Sequence, residues 1–365
     1  MHRMSLIFFL TAACTLFCSS SLFSFVQEEA EEKEEKKYKK DPYTENVEEV
    51  WRKAGYEAMG NFRWADGHGT QNIEDAIGGE KFIFVETKHF KIGCSLPSYK
   101  ISREDKIEKK KIESELKELR DFLPNIPKRI KTLDRWLRLH LYAMRAEKVY
   151  RQIQDLLQVK DDDFPNGPGQ LKNNKYMGEG PFLGMTNKFA ILLVEQESAL
   201  GRYRSAFMKQ SGILPIRHLF PKDGVMLFAV AQQNDGMSSD TSMHCLFVYA
   251  LSKNILDGYK YYRHSISTWL PLGVSHYLAR KVDMKRNYFT DKRLYDSNDK
   301  NIWNWEVKTR KRIDHEYFPS YMEITEWGES TTLKYSDHTM AWARADFLLK
   351  KHPDLVASWF AQMQE

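Results

Sequence analysis

The chain is poor in cysteine and carries no large excess of charge of one sign. Only Cys94 and Cys245 lie beyond the N-terminal segment of the 365-residue sequence, so it is not a disulfide scaffold, and whether these two pair is left open. The 55 basic and 50 acidic residues leave a net charge of +5, which is too small to indicate a nucleic-acid partner. Aromatic residues make up 13% of the chain, enough for a packed core.

Long apolar runs are missing after the first residues. Beyond residue 27 no stretch approaches the ~20 apolar residues that cross a bilayer, so we expect no membrane span in the mature protein. Residues 1–27 combine Arg3, an apolar run over 6–17 and several serines, which is the layout of a cleaved signal peptide. The alternative is an uncleaved anchor. Cys14 and Cys18 lack the neighbours of a lipoprotein acylation site, so the sequence predicts an exported protein (periplasmic, envelope-associated or extracellular) without a lipid anchor.

Four regions follow from composition and periodicity. The signal peptide precedes a charged linker at 28–45, which contains too few apolar residues to form a core. An N-terminal helical segment is expected over 46–81, with apolar residues at helical spacing between 47 and 59. The main domain then covers 82–365 and opens with strands at 82–87 and 89–94.

The main domain alternates between strand and helix patterns. A helical hairpin is expected at about 103–165, broken by Pro124 and Pro127. Buried strands are predicted at 188–195 and 224–231, and helices at 198–210, 241–254, 271–282, 336–351 and 354–364. Strands mixed with many helices indicate an α+β fold.

Two helical segments carry a family resemblance. The segment 243–251 (MHCLFVYAL) follows a buried strand, and about twenty residues later comes 269–278 (WLPLGVSHYL). Their order resembles the gluzincin-like, or peptidase MA-like, zinc metallopeptidases, in which an HExxH helix precedes a helix opening W-L-x-E-G. The segment 339–349 is similar to the closing helix of that group. The resemblance implies a zincin-like mixed sheet, an active-site-type helix and a helical C-terminal subdomain, with the 103–165 hairpin as an insertion.

The zinc-binding residues of that pattern are largely absent. In HExxH the two histidines, one turn apart, share a zinc ion, the glutamate activates water, and a later glutamate completes the ligands. Here the aligned positions are His244, Cys245, Val248 and Leu272. One imidazole cannot hold zinc against water, and the carboxylates are gone. We therefore expect no catalytic residue and no bound metal or other cofactor at these vestigial positions.

The functional expectation is a non-catalytic pseudo-peptidase that binds or scaffolds a polypeptide partner through the former substrate cleft. One alternative is a metal-dependent hydrolase with a rebuilt site that uses His264, His276 or His315. A third interpretation is a structural envelope protein. The sequence does not identify the ligand or the partner.

Overall fold

A mixed six-stranded sheet forms the centre of the fold. The structure, a computed structural model, describes residues 38–261, 267–286, 301–328 and 333–362. It is 49% helical, which confirms the predicted α+β class. The expected signal peptide at 1–27 and residues 28–37 of the expected linker lie outside the described residues.

The strands of this sheet are Tyr56–Met59 (β1), Ile83–Thr87 (β4), Phe90–Cys94 (β5), Phe189–Val194 (β8), Ile216–Phe220 (β9) and Val225–Ala231 (β10). They run in the order β1-β4-β5-β8-β10-β9. The inner pairs β5–β8 and β8–β10 are parallel, whereas β1–β4, β4–β5 and β10–β9 are antiparallel. Two small ribbons accompany it, Arg63–Ala65 (β2) with His68–Gly69 (β3) and Tyr99–Lys100 (β6) with Thr132–Leu133 (β7).

The helices cover both faces of the sheet. Their bounds are Glu48–Lys53 (α1), Thr70–Ile77 (α2), Lys106–Leu119 (α3), Arg135–Leu157 (α4), Glu197–Tyr203 (α5), Asp240–Gly258 (α6), Trp269–Val282 (α7), Trp305–Asp314 (α8), Tyr321–Thr325 (α9), Tyr335–Lys351 (α10) and Pro353–Gln362 (α11). Within the described residues, no helix has the length and apolar character needed to cross a membrane.

The central strand β8 shows why the sheet is buried on both sides. Phe189, Ile191 and Leu193 belong to the larger apolar cluster, while the alternate residues belong to the smaller one on the opposite face. Successive side chains of a strand point to opposite faces, so a continuous apolar run produces a strand covered twice. Strand β8 pairs in parallel with β10, so the two predicted buried strands lie side by side in this sheet.

The N-terminal segment differs from its expected helical character. Only Glu48–Lys53 and Thr70–Ile77 are helical within 46–81, because Gly55 (φ +90°) ends the first helix and Tyr56–Met59 continues as an edge strand of the main sheet. The end of the expected linker is also packed. Asp41 is fully buried, and its carboxylate lies 3.1 Å from Nε2 of His140 on α4.

The predicted helical hairpin consists of α3 and α4. Asp105 and Asp134 cap the two helices, each accepting a hydrogen bond from a backbone N–H three residues on. The second helix packs against both β5 and α6, so the hairpin lies over the helix that carries the resemblance.

Candidate functional site

The four positions that the resemblance aligns with a zinc site lie on two helices that pack against each other. His244, Cys245 and Val248 lie on α6, and Leu272 lies in the first turn of α7. All four side chains are buried. Val248 and Leu272 belong to the larger apolar cluster, so two of these four positions contribute to the hydrophobic core.

A buried ion-pair network lies at the start of α6. The guanidinium of Arg145 on α4 contacts Asp240 through Nη1–Oδ1 at 3.1 Å and Nη2–Oδ2 at 2.6 Å. It also contacts Glu115 on α3 through Nε–Oε1 at 3.0 Å and Nη2–Oε2 at 2.6 Å. The Arg145 side chain is 1% exposed. Bidentate geometry to two carboxylates makes this a strong, directional contact among three helices.

His244 borders this network without completing it. Its Nδ1 lies 3.8 Å from Oε1 of Glu115, beyond hydrogen-bonding distance, and has no partner among the described residues. Burial first, and then the positive charge of Arg145, lower the pKa of His244 well below its usual value. The imidazole is therefore neutral and lies beside a fixed cation.

Asp240 is ionised despite its burial. Burial alone would raise the pKa of this carboxyl, but Arg145 outweighs that effect and lowers it. A second carboxylate supports the same helix end, since Glu108 on α3 accepts hydrogen bonds from the N–H and the hydroxyl of Thr241, both at 2.9 Å. Two acids at the N-terminus of α6 complement its helix dipole.

Cys245 has the properties of a structural thiol. Its Sγ lies 3.7 Å from the carbonyl oxygen of Asp283, and burial raises its pKa to about 12. The reactive form of cysteine is the thiolate, which this environment disfavours. Cys94 on β5 is buried as well, and both are free, so the disulfide left open by the sequence is not formed.

Of the histidines in the alternative rebuilt site, the two within the described ranges, His276 and His315, lie apart. His276 on α7 is fully buried, with Nε2 2.9 Å from Nδ1 of His338 on α10. Its ring also lies 4.9 Å from that of Trp305 at the start of α8. His315 follows the other end of α8, roughly 15 Å along the helix axis. His264 lies outside the described residues.

Metal-ligating side chains do not cluster in the described ranges. Within 38–261, 267–286, 301–328 and 333–362, no three His, Cys, Asp or Glu side chains are placed to hold one ion. No known family, curated protein or solved structure matched the chain.

The ion-pair network could not be found by motif spacing. Arg145, Glu115 and Asp240 lie on three helices and are up to about 125 residues apart in the sequence, so their juxtaposition is a tertiary property. One signal was present in the sequence: Arg145 falls among the apolar positions of a long amphipathic helix, where an unpaired cation would be costly.

Proposed function

We propose that this chain is an exported, non-catalytic protein of the gluzincin-like group, a pseudo-peptidase that binds an extended polypeptide along edge strand β9. The observation that supports a non-catalytic role is the buried guanidinium of Arg145 beside His244. Zinc at His244 would add a second cation next to a fixed one in a poorly solvated site, where repulsion is strong. Cys245, Val248 and Leu272 supply neither imidazole nor carboxylate.

The position and exposure of β9 support polypeptide binding. It is the terminal strand of the sheet, and no described strand pairs with its outer edge. It lies next to β10, the strand that leads to α6. An unpaired strand edge presents backbone N–H and C=O groups that an extended peptide can join by adding a strand.

Apolar residues beside this edge offer side-chain contacts. Ile213 and Leu214, which lead into β9, are 43% and 68% exposed. Residues Ile216 to Leu219 are half-buried, so a docked peptide would cover surface that is already partly apolar. Backbone pairing gives affinity in this mode, and the apolar contacts give sequence preference.

Selection of binders from a displayed random-peptide library tests this proposal. Bound peptides should slow hydrogen–deuterium exchange at the backbone amides of 216–220. Leu214→Lys should weaken binding about tenfold or more by removing an apolar contact. Leu171→Lys, at a similarly exposed leucine (60%), is the matched control and should leave affinity within about twofold. Protection confined to β1, or no binder at all, would contradict the proposal and favour the structural envelope role.

The second candidate is the hydrolase with a rebuilt metal site, and the contact between His276 and His338 favours it. Nε2 of His276 lies 2.9 Å from Nδ1 of His338, and imidazole is a common zinc ligand. A hydrogen bond between the two nitrogens requires a proton that metal ligation would displace. Calorimetric titration of the full chain with zinc distinguishes the two candidates. Only the hydrolase requires stoichiometric zinc binding, and His276→Ala should then remove it.

A further inference from the structure

A cleft of about 460 Å³ lies between α8 and the first turn of α10. The surface that lines it is almost entirely apolar, although every lining side chain among the described residues carries a polar or charged group. The carbon atoms of these side chains therefore form the walls, and their polar ends lie outside the cleft. Water finds few hydrogen-bonding partners in such a space, which favours an apolar occupant.

The wall on the α10 side shows where the polar ends are engaged. The Ser336 hydroxyl donates to Oδ1 of Asp337 at 3.3 Å, and the Thr339 hydroxyl donates to the carbonyl oxygen of Ser336 at 2.7 Å. The Tyr335 hydroxyl donates to the carbonyl oxygen of Ile302. Because these hydroxyls have partners within the chain, this wall offers carbon atoms and an aromatic ring to a ligand.

The wall on the α8 side consists mainly of long cationic side chains. Lys308, Lys311 and Arg312 are spaced i, i+3 and i+4, so they share one face of the helix. The aliphatic stems of lysine and arginine cover apolar surface while their charged ends stay in water. His315 at the end of α8 also lines the cleft, so the lining extends over about 10 Å of the helix axis and the cleft is elongated along α8.

Two cations lie at the mouth of this cleft. Because its lining is apolar, the charged ends of Lys311 and Arg312 lie at the rim rather than inside. The guanidinium of Arg312 lies 5.4 Å from the ring centroid of Tyr317, a lining residue that is 73% exposed. Within the described ranges neither cation forms an ion pair, and no acidic side chain lines the cleft. The rim therefore complements an anionic group attached to an apolar body.

We propose that this cleft binds one molecule of a long-chain fatty acid, with the alkyl chain between α8 and α10 and the carboxylate at Lys311 and Arg312. An apolar interior excludes a ligand that carries several charges, whereas one carboxylate at the rim remains solvated and pairs with the cations. The elongated shape and a volume in the lower part of the range of small-molecule sites suit a single chain. This site is independent of the peptide edge at β9.

Calorimetric titration of the full chain, below the micelle concentration of each probe, tests the site with dodecanoate, octanoate and dodecyltrimethylammonium. We expect saturable binding of one dodecanoate per chain. Octanoate should bind at least about tenfold more weakly, because each buried methylene contributes roughly fourfold in affinity. The cationic amphiphile has the same chain length and should also bind at least about tenfold more weakly, because the rim repels it.

Two sets of variants separate the chain site from the carboxylate site. Ser336→Phe places a ring in the cleft and should weaken dodecanoate binding about tenfold or more. Ser358→Phe, at a serine of α11 that is also half-buried, is its matched control and should change affinity less than about twofold. Lys311→Gln combined with Arg312→Gln should abolish the preference for dodecanoate over the cationic amphiphile. Arg310→Gln, on the same helix but outside the lining, should retain that preference.

Circular dichroism melting shows whether each variant is folded, and the surface substitutions on α8 keep the test decisive if Ser336→Phe does not fold. Failure of dodecanoate to saturate would overturn the proposal. Equal affinities for dodecanoate and octanoate would overturn it as well, because no chain would then be buried. Equal weakening by the two serine variants would place the ligand outside the cleft, and equal binding of the cationic amphiphile would refute the role of the rim cations.

Discussion

Arg145 on α4 and Asp240 at the start of α6 form a buried bidentate ion pair, with one N···O contact of 2.6 Å and one of 3.1 Å. Glu115 on α3 binds the same guanidinium, so both helices of the hairpin are tied to the helix that carries His244. An ion pair of this kind fixes geometry through several directional contacts, although burying it is costly. The charged groups nearest His244, which are Arg145, Glu115 and Asp240, are therefore paired with one another.

Breaking this ion pair should destabilise the fold strongly. Arg145→Met leaves two carboxylates buried without a cation, which should lower the free energy of unfolding by about 3–5 kcal/mol in urea denaturation. Lys148→Met, one turn on along α4, removes only a half-exposed contact with Glu118 at 3.4 Å. It should cost less than about 1 kcal/mol. Equal losses for the two variants would show that Arg145 is not a structural anchor.

Stability should fall as pH drops through the range of the buried histidines. Native His244 stays neutral because its pKa is well below the ordinary 6.5, whereas the unfolded chain binds a proton there. Each such group therefore removes about 1.4 kcal/mol of stability per pH unit between 6.5 and its native pKa. Burial likewise lowers the pKa of His68 to about 4, which adds loss of the same sign.

His244→Gln should make that pH dependence shallower. Urea unfolding from pH 8 to 4.5 should show wild type and variant running parallel above pH 7 and diverging below 6.5, with the variant losing less stability. Asp240 affects stability only at lower pH. Because its pKa is lowered in the folded protein, the stabilisation that its ionised carboxylate provides is complete above pH 3.8 and is lost as the pH falls below that value. Parallel curves throughout would mean that His244 is charged in the folded protein.

The glycine of the W-L-x-x-G pattern serves helix packing. A Cβ added at Gly273 on α7 would lie 2.3 Å from the carbonyl oxygen of Ala341 and 2.9 Å from the Cβ of Ala345, both on α10. Gly273→Ala should therefore lower the thermal midpoint, at a cost of about 1–3 kcal/mol. Gly201→Ala in α5 is the control: its new Cβ meets its nearest neighbour at 3.4 Å, and the change should be neutral or stabilising by up to about 1 kcal/mol. Two equal losses would remove the packing explanation.

The signal-peptide hypothesis predicts that the mature protein begins near residues 25–28. The apolar run of the first segment is short for a stable anchor, so cleavage after export is expected. Intact-mass spectrometry of the secreted or envelope-extracted chain measures this directly. A mass that includes Met1 and residues 6–17 would support the uncleaved anchor instead.

Sequence reasoning found the elements whose pattern is local. The continuous apolar runs of β8 and β10 were predicted as buried strands, and the prolines at 124 and 127 separated the two helices of the hairpin. The sequence does not predict strand β9, because Ile216, Arg217 and His218 mix apolar with charged or polar residues and its pairing with β10 is a long-range property. It predicts a helix over Tyr56–Met59 because apolar residues recur at helical spacing between 47 and 59, and sheet pairing overrides that local preference.

The site was harder to predict than the fold. The positions His244, Cys245, Val248 and Leu272 follow from the family resemblance, but nothing local to them indicates that Arg145 and Glu115 lie close to His244.

Mass spectrometry of a bound peptide distinguishes a non-catalytic binder from a hydrolase. A peptide selected for binding is incubated for hours with the full chain and excess zinc, and then analysed for cleavage. A non-catalytic pseudo-peptidase should leave the peptide intact, and the washed protein should retain less than about 0.1 equivalents of zinc. Zinc-dependent cleavage that disappears in His276→Ala would refute the proposed function and establish a hydrolase.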